Sequence, residues 1–102
     1  MSASDNHEHL YIVTYDIADA RRWRIVFKLM HGFGEWTQLS VFQCRLTRTR
    51  RAELTQQLEA ALSKTEDHAI IIDVGPAEGV QPRVHSIGKR GFDPIERVPV
   101  IV

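Results

Sequence analysis

A chain of 102 residues, 43% hydrophobic and 25% charged, suits one domain around one core, and its 13 basic and 13 acidic residues cancel. Nothing in it approaches the ~20 apolar residues that span a bilayer, and the polar opening MSASDNHEH lacks an apolar signal core. A single cysteine, Cys44, excludes an internal disulfide and reads as a small buried filler, so the expectation is a cytoplasmic protein without a membrane partner.

Residues 1–9 read as a flexible leader, in which His7 and His9 flank Glu8. Residues 10–17, LYIVTYDI, are β-branched and aromatic and predict a strand buried on both faces. Asp19 is placed to cap a helix, and Trp23, Val26, Phe27 and Met30 recur on one helical face. His31-Gly32-Phe33-Gly34 ends that helix with C-cap glycines. Residues 35–46 run too long for one strand and predict a hairpin reversing near Ser40, with Phe42, Cys44 and Leu46 on one face.

Thr47 or Thr49 can cap a second helix whose buried stripe is Leu54, Leu58, Ala61 and Leu62. HAIIIDV, residues 68–74, is a fourth strand, GPAEGVQP a loop and RVHSIGK a weak fifth strand. IERVPVIV, residues 95–102, is apolar but holds Pro99, which suits an edge strand or docking tail. The order is the α+β, ferredoxin-like β-α-β-β-α-β motif over residues 10–94 with an extra C-terminal strand. With the first and third strands taken as a parallel central pair, both helix N-termini would leave the same edge of the sheet.

Charge is unevenly spread. Residues 21–51 hold eight Lys or Arg against Glu35 alone. Arg21, Arg22 and Arg24 open the first helix, and Arg48, Arg50 and Arg51 open the second. Cations in a first helical turn oppose the macrodipole, a local cost expected where function demands it. On the expected topology six arginines and Asp16 share one rim, which suits a phosphodiester backbone with a divalent ion against it. A plain turn role for Asp16 fits equally well. One carboxylate per chain is a poor Mg²⁺ site, which a two-fold homodimer would repair. His31, His68 and His85 fall in no motif and read as surface or loop residues.

Three blocks in order, Tyr15-Asp16-Ile17, the basic pair Arg22 and Arg24, and Gln38, Ser40, Val41 and Phe42 in a Q-x-S-V-F pattern, resemble the CRISPR-associated Cas two family over about residues 10–90. The resemblance implies a ferredoxin-like homodimer whose last strand crosses to the partner. It implies Mg²⁺, with Mn²⁺ as a substitute, held by Asp16 of both subunits. It implies a bridge for prespacer double-stranded DNA beside the Cas one integrase, and endonuclease activity on RNA or double-stranded DNA. Asp16 is the expected metal ligand, with Tyr15, Ser40 and Phe42 as further catalytic candidates. Each has a plainer reading: Tyr15 buried with its hydroxyl satisfied, Ser40 closing a turn and Phe42 in the core. Arg21, Arg22, Arg24, Arg48, Arg50 and Arg51 are the expected nucleic-acid contacts. Glu35, Trp36 and Leu39 depart from the family pattern. The alternative is a stand-alone endoribonuclease toxin of the same fold. An RNA-binding module lacks the aromatic strand it would need for stacking bases.

Overall fold

A computed structural model of the chain describes residues 7–88. The elements are β1 (His9–Asp16), α1 (Ala20–Met30), β2 (Glu35–Gln38), β3 (Val41–Leu46), α2 (Arg48–Ala61) and β4 (His68–Pro76). They form one four-stranded sheet in the order β2-β3-β1-β4, the ferredoxin-like arrangement. Both helices pack on one face of it. Val26 and Met30 of α1 and Leu54 and Leu58 of α2 join Tyr11, Val13, Tyr15, Phe42, Cys44 and Leu46 in a single core.

The sheet is antiparallel throughout, which corrects the parallel central pair. His9 lies opposite Leu46, and Thr14 opposite Val41. The α1 crossover returns the chain parallel to β1 at the far edge, and the hairpin then inverts it. β3 therefore runs against β1, and α2 begins where β1 begins rather than where β1 ends.

Local chemistry sets the boundaries. Asp19 caps α1, its carboxylate accepting from Arg22 N at 2.8 Å, and Thr47 caps α2, accepting from Arg50 N at 3.2 Å. The hairpin turns through two residues, Leu39 and Ser40, with Leu39 at φ 43°. The close of α1 differs from expectation: neither Gly32 nor Gly34 adopts a positive φ, so these are not left-handed caps. Gly34 is required instead by close approach. A Cβ there would overlap the carbonyl of Gln43 and stand 2.5 Å from Cys44 Sγ.

At the start of the chain, His9 already belongs to β1 and the Glu8 carbonyl accepts from Ala77 N at 2.8 Å, so the ordered domain begins earlier than expected. After β4, Arg45 pins the chain by donating to the carbonyls of Ala77 (2.9 Å) and Val80 (2.6 Å). Residues 81–88 form no strand, so the part of RVHSIGK within the described residues is not the weak fifth strand expected. The boundary at residue 94 and the strand expected over 95–102 lie outside the described residues.

Candidate nucleic-acid and metal site around Asp16

Asp16 is the last residue of β1 and is exposed. Side chains alternate across a strand, so Asp16 points away from the helices while its neighbour Tyr15 points into the core. On the Asp16 face stand Ile12 and Thr14 of β1 with their β4 partners Ile72 and Ile70. His68 is the β4 partner of Asp16 itself. Ile70 and Ile72 are 46% and 48% exposed, so this part of the sheet face is apolar and uncovered. His68 falls in no sequence motif and is exposed, as expected of a surface residue. Only the antiparallel register of β1 and β4 sets it across from Asp16.

The turn that follows Asp16 is held from below by Asp67. Its side chain is inaccessible and accepts from Ala18 N (2.9 Å), Ser63 N (2.8 Å), Arg22 Nε (2.7 Å) and Arg22 Nη2 (3.2 Å). Arg22 Nη2 also donates to Glu66 at 2.9 Å. These bonds to the charged form, Arg22 foremost, hold the Asp67 carboxyl well below the usual carboxylate range. Arg22, expected on phosphate, is thus committed inside the molecule. Arg21 and Arg24 are exposed and, among the described residues, have no acidic partner within ion-pairing distance.

The other candidates divide. Phe42 is fully buried and Tyr15 is 6% exposed, their rings stacked at 6.3 Å on the helix side of the sheet. Strand alternation therefore separates both from Asp16, and they serve as core residues. Burial pushes the Tyr15 phenol up to about 12, with the nearby Ser40 hydroxyl offsetting part of the shift. The phenol nevertheless lacks a hydrogen-bonded partner among the described residues, unlike the satisfied hydroxyl expected for a buried Tyr15. Ser40 sits in the hairpin loop, where its Oγ accepts from Trp23 Nε1 at 2.8 Å, a turn-fixing role. Cys44 is the buried filler expected, its thiol pushed up to about 12 by burial alone.

The shared rim of six arginines does not form. Because β3 runs against β1, Arg48, Arg50 and Arg51 stand at the opposite end of the sheet from Asp16, roughly 25 Å away along an eight-residue strand. Arg50 is also engaged there. Its guanidinium lies 4.0 Å over the Phe33 ring and bonds Glu53 (2.6 Å) and the Gly32 carbonyl (3.0 Å).

For a metal, the donor set in one chain is incomplete. Among the described residues no three of His, Cys, Asp or Glu are grouped to hold an ion. The nearby carboxylates Asp19 and Asp67 are spent on the helix cap and on Arg22. Among the described residues this leaves Asp16, and one carboxylate by itself is a poor Mg²⁺ site.

The site thus consists of an exposed carboxylate closing the central first strand of a βαββαβ sheet, an apolar uncovered face beneath it and a QLSVF hairpin beside it. Residues 9–78 match the family model described as CRISPR associated protein Cas2. The chain belongs to this family. It is 59% identical to "CRISPR-associated endoribonuclease Cas2" of Geobacter sulfurreducens over 95 residues, covering 93% of this chain and 99% of that one. It is 50% identical to "CRISPR-associated endoribonuclease Cas2 1" of Rhodospirillum rubrum over 97 residues, covering 95% and 94%. The crystal structure of Streptococcus pyogenes Cas2 at pH 6.5 superposes with a TM-score of 0.68 at 27% identity, covering 78% of this chain and 99% of that one. The Cas two resemblance and the ferredoxin-like fold thus both hold. Among the described residues no helix is long and apolar enough to cross a membrane.

Proposed function

We propose that this chain acts in CRISPR adaptation as a homodimer that grips a nucleic-acid backbone, bridges prespacer double-stranded DNA with the Cas one integrase, and hydrolyses phosphodiesters at the two-fold axis. The position of Asp16 at the rim of an apolar, uncovered sheet face carries this reading. A second copy stacked through Ile12, Ile70 and Ile72 buries that face and brings a second Asp16 toward the first. Two carboxylates then stand where one chain provides one, which suits Mg²⁺ or Mn²⁺. Such an ion, when bound, polarises a phosphoryl oxygen or lowers the pKa of its water. Arg21 and Arg24 beside it, exposed and without acidic partners among the described residues, hold the backbone phosphates. The endoribonuclease names of the relatives favour RNA as a substrate beside double-stranded DNA.

Asp16→Asn tests this. It keeps the size of the side chain and removes its charge. Cleavage of RNA and of duplex DNA in Mg²⁺ should fall by orders of magnitude, with the melting temperature preserved. Equal cleavage by the variant would place the chemistry elsewhere. Charge reversal at Arg21 and Arg24 should weaken duplex binding and flatten its salt dependence, without sequence preference.

A further inference from the structure

At the end of the sheet opposite Asp16 the helix layer leaves a cavity of about 500 Å³ between β1, β4 and the first turn of α2. Leu46 and Ile71 give it apolar walls, and Tyr11 and His9 of β1 line it with aromatic rings whose centroids lie 6.2 Å apart. Arg48 and Arg51, neighbours at i and i+3 on α2, give it a cationic wall. Its one carboxylate, Asp73, is already occupied. It accepts from Gly75 N at 2.8 Å and meets His9 Nδ1 at 2.8 and 3.1 Å. Among the described residues neither Arg48 nor Arg51 has a carboxylate within ion-pairing distance; Arg51 does donate to Thr55 Oγ1 at 3.2 Å. Arg50, between them, is drawn away onto Phe33 and Glu53.

Two guanidinium groups, neither of them in an ion pair among the described residues and outnumbering the one carboxylate of the cavity, stand beside apolar and aromatic walls in a space of small-ligand size, and match a group that is anionic at one end and flat and apolar at the other. We propose that this cavity is a second nucleic-acid subsite that takes one phosphate-bearing nucleotide, its phosphate on Arg48 and Arg51 and its base against the half-exposed ring of His9. Arginine donates to phosphate as a planar fork, and an aromatic ring accepts any base, so such a subsite tolerates sequence. It shares no residue with the Asp16 end and stands or falls separately from the hydrolytic reading.

Titrating the full chain, carrying Asp16→Asn to prevent cleavage, with adenosine monophosphate and then with inorganic phosphate tests it by amide chemical shifts. Shifts should cluster at His9, Tyr11, Thr47–Arg51 and Asp73, with the nucleotide binding more tightly than phosphate. Arg48→Ala with Arg51→Ala should weaken the nucleotide at least roughly tenfold, since each bond to a charged group is worth that much. Gln57→Ala, exposed farther along α2, should bind as the parent does. His9→Gln, which removes the ring but keeps a donor for Asp73, should weaken the nucleotide and leave inorganic phosphate unchanged. An oligonucleotide with and without a 5′-phosphate then separates a strand end from an internal phosphodiester. Absence of shifts at these residues, equal affinity for nucleotide and inorganic phosphate, or full binding by the folded double arginine variant would overturn the proposal.

Discussion

Arg22 closes a two-pronged grip on Asp67, Nε to Oδ2 at 2.7 Å and Nη2 to Oδ1 at 3.2 Å, across 45 residues of sequence. The same carboxylate takes the amides of Ala18 and Ser63. It ties the turn after Asp16 to the loop between α2 and β4. The Asp67 carboxyl is held low by these bonds, so its contribution to stability is present above the ordinary carboxylate pKa of ~4 and is lost as pH falls below it. Melting temperature should therefore decline as pH drops from about 5 to 3. Asp67→Asn should lower it at neutral pH and flatten the decline. A variant that melts like the parent across that range would remove Asp67 from this role.

The uncovered sheet face makes a separate prediction. Ile72 is 48% exposed in the single chain, so Ile72→Lys should leave the monomer fold intact. At the centre of the proposed stacked interface a lysine is costly, and if that homodimer forms, light scattering should show a shift from dimer to monomer. An unchanged dimer would move the interface to another surface.

Gly34 should tolerate no side chain. The Cβ of alanine would press on Gln43 and Cys44 of β3, so Gly34→Ala should cost on the order of 1–3 kcal/mol in chemical denaturation. Pairing it with Cys44→Ala, which removes the Sγ it meets, should recover part of the loss.

Leu39 holds φ 43° at the hairpin tip and is 53% exposed. A leucine there bears the left-handed penalty of about 1–2 kcal/mol, which glycine avoids and asparagine lessens. Leu39→Gly or Leu39→Asn should raise stability by about 1 kcal/mol without altering the fold. A loss of stability would show that the leucine makes a contact in the assembled protein.

Burial pushes the Cys44 thiol up to about 12, far above physiological pH. The thiol is the unreactive form, so native protein should resist thiol reagents at pH 7–8 and react only on unfolding. Rapid modification under native conditions would mean that β3 opens locally.

Periodicity in the sequence was enough to find both helices, the hairpin and most of the core. The i, i+3, i+4 spacing of Trp23, Val26, Phe27 and Met30 and the alternation of Phe42, Cys44 and Leu46 are local properties, which nearest neighbours in the chain decide. The caps Asp19 and Thr47 are local in the same sense, and the family blocks around Asp16 were legible as strings. Strand direction is not local. Reading the central pair as parallel put all six N-terminal arginines on one rim; the hairpin inversion divides them between two ends. The fates of individual side chains follow from that inversion. Arg22 meets Asp67, and His68 comes opposite Asp16, because chain segments 45 and 52 residues apart are brought together by packing. Tyr15 and Asp16 are adjacent in sequence yet face opposite sides of the sheet, and only knowledge of which face the helices cover says that one is core and the other site.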